Sequence, residues 1–109
     1  MDNDLHKYVQ HIDGMKKGNI LVFALSNCAW CRKIKQLLNE IGVEYSYIDA
    51  DSVKKEDRQK LMETLERWNP ACIFPTVVIN EHTCIMGFDE SGIREALEEQ
   101  HSMVMENLL

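Results

Sequence analysis

A chain of 109 residues with 45% apolar and 28% charged side chains suits one compact folding unit and excludes a disordered or fibrous chain. Its formal net charge of −6 argues against general binding to phosphate backbones, and its longest basic cluster, Arg32-Lys33 with Lys35, is too small for a nucleic-acid surface. No stretch approaches the roughly 18 apolar residues needed to span a bilayer, and MDNDLHKYVQ has no apolar secretory core. Neither nucleic acid nor membrane is expected as a partner, and a cytoplasmic location is expected.

In chain order, Leu5, Tyr8, Val9, Ile12 and Met15 recur at helical spacing and predict an amphipathic helix over 3–16. That helix belongs to an N-terminal extension, 1–18. Ile20-Leu21-Val22-Phe23-Ala24-Leu25 is an unbroken apolar run, as a strand buried on both faces should be. Ser26-Asn27 breaks it, and a helix over 29–41 follows with Ile34, Leu37, Leu38 and Ile41 on one face. Gly42 terminates that helix. Val43, Tyr45, Tyr47 and Asp49 alternate with Glu44, Ser46 and Ile48, which predicts a second strand.

Asp51 or Ser52 can cap a helix reaching Trp68, with Leu61, Leu65 and Trp68 inward, and Asn69-Pro70 ends it. Pro75 to Ile79 reads as a third strand, Asn80-Glu81 as a tight connection, and His82 to Met86 as an antiparallel return. After Gly87, Asp89 is an N-cap for a last helix with Ile93, Ala96 and Leu97 inward. The β-α-β start requires parallel neighbours and the β-β end an antiparallel pair. The expected architecture is α/β: a mixed four-stranded sheet with helices on both faces and an extra N-terminal helix. Residues 1–109 form a single domain with its core at 19–99. The tail 100–109 is apolar enough (Met103, Val104, Met105, Leu108, Leu109) to pack back on the fold or on a neighbour.

The chemistry sits in Cys28-Ala29-Trp30-Cys31, where a buried strand ends and a helix begins. A helix N-terminus offers unpaired N–H groups and a positive dipole end, which favour a thiolate and lower thiol pKa values. Arg32 and Lys33 add positive charge. Cys28, just outside the helix, is the expected nucleophile. Cys31, a turn further on, can resolve a mixed disulfide by attacking the Cys28 sulfur. Zinc requires four ligands, and Cys72 and Cys84 form no second close pair; no metal is expected. A second element is Ile73-Phe74-Pro75-Thr76. Proline opening a strand forfeits one terminal ladder bond. A cis bond would turn the Phe74 backbone outward for a substrate peptide, and a trans proline would only mark the strand edge. The residues alone leave both open.

With these elements placed, the chain resembles the glutaredoxins of the thioredoxin-fold superfamily over about residues 19–99. The likeness rests on the strand leading into Cys28-Ala29-Trp30-Cys31-Arg32, on the spacing to Pro75, and on Ile85-Met86-Gly87-Phe88-Asp89-Glu90. It implies a thioredoxin-like fold, a cis bond before Pro75, Cys28 as nucleophile and Cys31 as resolver. It places Trp30, Arg32, Phe74, Pro75, Gly87, Phe88 and Asp89 along the substrate or glutathione, with glutathione as co-substrate. Partners would be disulfide-containing or glutathionylated proteins and a reductase system, and a monomer is expected. The chain departs from the family pattern where Leu25 replaces a frequent lysine, Ile73 a threonine, Cys72 an arginine, Met86 a glycine and Ala29 a proline. Of these changes, Leu25, Ile73 and Met86 favour a rival in which a thioredoxin-reductase type flavoprotein supplies the electrons. A second rival is a module holding an iron–sulfur cluster between two monomers, which Cys31 disfavours. Cys72 should lie near the active pair, as a small buried side chain or a third redox group. Cys84 should be core.

Overall fold

The structure, a computed structural model, describes residues 3–98; the expectations for the tail 100–109 lie outside them. Helix α1 (Asn3–His6) and strand β1 (Gln10–Ile12) precede β2 (Ile20–Ala24), α2 (Ala29–Ile41) and β3 (Tyr45–Asp49). A short 3₁₀ turn, Ala50–Ser52, leads to α3 (Lys55–Trp68), β4 (Thr76–Ile79) and β5 (Thr83–Met86). A last helix, α4, covers 90–98. The strands form a mixed five-stranded sheet in the order β1-β3-β2-β4-β5. β2 and β3 run parallel and every other pair is antiparallel.

Period-2 alternation divides the core between the two faces of the sheet. Val22, Ala24, Val77, Ile79 and Ile85 pack with Ile34, Leu37 and Leu38 of α2 and with Ile93, Ala96 and Leu97 of α4. Phe23, Ile48 and Val78 point the other way, onto Leu61 and Leu65 of α3 and Leu5 of α1. Helix α2 starts and stops where its sequence says it should. Cys28 is extended at its N-cap, and Gly42 ends it in the left-handed region at φ 85°, donating its N–H to the Leu38 carbonyl at 3.0 Å. The hairpin forms as expected, with Asn80 and Glu81 both at positive φ as a primed turn demands.

Three expectations need correction. The N-terminal helix over 3–16 is only α1, and Gln10, His11 and Ile12 pair instead with Tyr47, Ser46 and Tyr45 of β3. The reason is the edge. Without β1, the N–H and C=O groups on that side of β3 would have no ladder partner, while a lone helix of that length is marginal in water. A second contact secures the path. Met15 donates to the Gly42 carbonyl at 2.7 Å and accepts from the Glu44 N–H at 2.9 Å. The chain runs so close there that a Cβ on Gly14 would sit 2.6 Å from the Val43 carbonyl carbon. Leu5, fully buried against α3, anchors the start; burying such a side chain is worth about 1.5–3 kcal/mol, far more than four residues of helix supply.

The sheet therefore has five strands, not four. Finally, neither Asp51 nor Ser52 caps α3. Lys54 takes the N-cap position without a side-chain bond, because the Asp51 carboxylate is engaged elsewhere. It accepts the Ser26 N–H at 2.9 Å and the Ser26 hydroxyl.

Candidate active site

Strand β2 delivers the chain through Leu25-Ser26-Asn27 to the start of α2, and the two cysteines fall on either side of that start. Cys28 is half-buried and Cys31 completely buried, and both are free thiols. The Cys31 N–H points at the Cys28 sulfur, 3.3 Å away. Burial alone would push the Cys28 thiol up. Hydrogen bonds from the Cys31 thiol and from the N–H groups of Cys31 and Trp30, with the Arg32 charge, outweigh it and bring it below the ordinary thiol value. Cys31 behaves oppositely. Burial, then its own hydrogen bond to Cys28, push it up to about 12, against opposition from the Leu25 backbone and the Lys35 charge. Of the two sulfurs, the outer one ionises more readily.

Trp30, between the cysteines, is 55% exposed. One face stacks on Phe88 with centroids 5.7 Å apart, and the Lys33 ammonium lies 4.5 Å from its ring centre, a cation–π contact. Arg32 is exposed at the mouth of the site. Lys35, a turn beyond Cys31, lies 3.8 Å from the Tyr47 ring centre and pairs with Asp49 at 3.2 Å.

The second wall is the loop entering β4. The Phe74–Pro75 bond is cis, so the choice left open by the residues falls as the resemblance implies. Phe74 is half-buried and packs on both core clusters. The Pro75 carbonyl accepts the Gly87 N–H at 2.8 Å, tying this loop to the segment before α4. The Gly87 N–H is thereby committed within the protein. Asp89 caps α4: its carboxylate accepts the Gly92 N–H at 3.0 Å. Cys72 sits in the same loop at φ 52° and is half-buried against the α3 face. Cys84 is half-buried in β5 rather than core, and burial pushes its thiol up.

Sequence reasoning took Asn69 only for a helix terminator. It is fully buried and organises the loop: its Nδ2 donates to the Thr76 hydroxyl at 2.9 Å and its Oδ1 accepts the Ala71 N–H at 3.1 Å. Thr76 in turn donates to the Ile73 carbonyl at 2.6 Å. A signal existed. Asn69 falls four residues after Leu65, itself four after Leu61, which puts a polar group on the inward stripe. No third His, Cys, Asp or Glu among the described residues joins the dithiol at ligand distance. Such a cluster occurs elsewhere, at His11, Asp13 and Glu44, and is largely open to solvent.

A sequence model described as Glutaredoxin matches residues 20–84, a stretch holding Cys28, Cys31 and Pro75. A glutaredoxin from Vernicia fordii is 31% identical over 65 residues, 60% of this chain and 61% of its own length. The chain thus spans about three-fifths of that relative. Among solved structures, the glutaredoxin from Methanosarcina mazei Go1 has a TM-score of 0.76 at 37% identity, covering 83% of this chain and 87% of that one. The methanoredoxin of Methanosarcina acetivorans has a TM-score of 0.74 at 39% identity, covering 77% and 88%. Family match and thioredoxin-like fold agree: the chain belongs to the glutaredoxin family.

Proposed function

We propose that this chain is a dithiol oxidoreductase of the C-A-W-C type that reduces protein disulfides or glutathione mixed disulfides. The observation that carries the reading is the inequality of the two thiols: a half-exposed Cys28 held below the ordinary thiol value beside a buried Cys31 pushed up to about 12. The Cys28 thiolate attacks one sulfur of the substrate disulfide. The substrate S–S bond breaks, the departing thiolate takes a proton from water, and Cys28 is left in a mixed disulfide. Cys31 then loses its proton and attacks the Cys28 sulfur, releasing the second substrate thiol. Two electrons have passed to the substrate, and the protein holds a Cys28–Cys31 disulfide that an external thiol or a reductase system must reduce.

Trp30, Arg32, Phe74, Pro75, Gly87, Phe88 and Asp89 form the substrate-contacting surface in this reading. Family membership supports glutathione as the co-substrate. Leu25, Ile73 and Met86 work against tight capture, since a charge-assisted hydrogen bond that cannot form forgoes ~1.5–3 kcal/mol. The unit is a monomeric cytoplasmic domain with its core at 19–99; among the described residues no helix is long and apolar enough to cross a membrane. The test is single replacement of each cysteine. Cys28→Ser should reduce a model disulfide at background rate, and Cys31→Ser should accumulate a mixed disulfide visible by intact-mass measurement. Parental turnover in Cys28→Ser would end the assignment.

A further inference from the structure

Away from the dithiol, one group of metal-ligating side chains converges on the β1 edge of the sheet. Residues two apart share a face of a strand. His11 pairs with Ser46 and Ile12 with Tyr45 across the β1–β3 ladder, so His11 and Asp13 on one chain meet Ser46 and Glu44 on the other. Ser46 in turn pairs with Leu21 near the start of β2, whereas the dithiol follows the end of that strand. The His11 Nε2 lies 3.0 Å from a Glu44 carboxylate oxygen and 3.3 Å from one of Asp13. One ligand atom from each of the three residues falls within 4.8 Å of the others. Ligands about 2.0–2.2 Å from a shared ion stand roughly 3–3.5 Å apart, so both Nε2 separations already fit. The Asp13 side chain, 99% exposed, can close the remainder. The backbone beneath is fixed, because Gly14 runs against Val43 and Met15 bonds to both Gly42 and Glu44.

We propose that His11, Asp13 and Glu44 bind one divalent transition-metal ion of the zinc type, which fastens β1 to β3. Imidazole with carboxylates suits such an ion, whereas calcium takes about six to eight oxygens. Two carboxylates and a neutral imidazole carry the charge that a divalent ion offsets. Among the described residues, no lysine or arginine pairs with either carboxylate. A proton on Nε2 would bring one charge to two carboxylates and bond well with only one of them. The other ring nitrogen is also held: Ser46 Oγ lies 3.1 Å from His11 Nδ1. A hydroxyl accepting the Nδ1–H leaves the Nε2 lone pair free for a metal, as outer partners of ligating histidines do. His11 and Glu44 line a cleft of about 560 Å³, which gives water room to complete the coordination shell. His11 and Asp13 precede the matched stretch 20–84, and the site is independent of the dithiol chemistry.

Zinc(II) titration of the full chain carrying Cys28→Ser and Cys31→Ser, which removes the competing dithiol, tests this. One zinc should bind per chain. The His11 ring resonances should shift in NMR spectra while those of His82 stay, and the thermal unfolding midpoint should rise. His11→Ala and Asp13→Asn alter exposed side chains and should unfold like their parent in EDTA. Each should nonetheless weaken zinc binding at least roughly tenfold, and Ser46→Ala should weaken it about tenfold. Unmoved His11 resonances, or equal zinc affinity in the parent, His11→Ala and Asp13→Asn, would overturn the site and leave an ion pair only. Calcium binding as tight as zinc would overturn the assigned class of ion.

Discussion

The loop that enters α2 is shaped by the helix it opens, whereas the loop that enters β4 is shaped by a side chain buried beneath it. In residues 25–28 the decisive groups are the first N–H groups of α2, which converge on the Cys28 sulfur. Those donors exist because a helix starts there and its first turn has no internal acceptors. In residues 69–75 no such local supply exists. Asn69, fully buried, bonds to Ala71 and Thr76, and Thr76 bonds to Ile73. In the proposed reaction one loop places the attacking sulfur, and the other places the backbone against which a substrate would lie. The first should tolerate removal of any one distant partner, and the second should collapse with one side chain.

The largest effect is therefore expected at Asn69. Asn69→Ala leaves the buried Thr76 hydroxyl without its donor and, in a part-buried bond, the Ala71 N–H without its acceptor. Unmade buried hydrogen bonds of this kind cost about 1–3 kcal/mol each, so a total loss of roughly 2–4 kcal/mol is expected in denaturant unfolding. Reduction of a model disulfide should fall with it, while alkylation of Cys28 by iodoacetamide keeps its pH dependence. A loss below about 0.5 kcal/mol, within the range of neutral surface changes, would show that the loop is held by other means.

That contrast also explains how much could be read from the residues alone. Helix α2 was legible to the residue, because its break at Ser26-Asn27, its apolar stripe and its terminal Gly42 are all local signals. The hairpin, to within one residue at the start of each strand, and the Asp89 cap were legible too. β1 was not. Leu5, Tyr8, Val9, Ile12 and Met15 describe a face at helical spacing, and nothing in that spacing reveals that β3 offers an open edge. Nor could Asp51 be placed from sequence. Its cap-like position before α3 competes with Ser26, 25 residues earlier, and only the fold brings them together. The placement of the two cysteines was easier to read than its supports, since Cys28 and Cys31 are set by one turn of helix and the wall opposite them by long-range packing.

A smaller effect is expected at Arg32, which sharpens the picture of the first loop. Its charge is one of the influences holding the Cys28 thiol down, behind the hydrogen bonds. Arg32→Ala should raise that thiol's pKa without restoring the ordinary value. The thiolate reacts, so alkylation and disulfide reduction should slow on the acid side of the titration, by roughly two- to fivefold for an exposed, salt-screened charge. The difference should vanish once the pH exceeds both values, and it should shrink in high salt. A full return of Cys28 to an ordinary thiol would mean that charge, not the helix start, sets its reactivity.

The smallest effect belongs to Asp51→Ala, which removes the distant support of the first loop. Hydrogen bonds from the Ser26 hydroxyl and then from its N–H hold the Asp51 carboxyl below the usual carboxylate range. A carboxyl whose folded value is depressed stabilises the fold above its unfolded value, and that contribution is lost as the pH falls through the folded one. The variant should therefore unfold at slightly lower temperature than the parent at neutral pH, with the gap closing below the ordinary aspartate range. Cys28 should titrate almost as before, because its donors come from α2 and not from Asp51. If instead the Cys28 titration moved as far as in Arg32→Ala, the loop would depend on its remote anchor just as the loop entering β4 depends on Asn69, and the division of labour between the two walls would disappear.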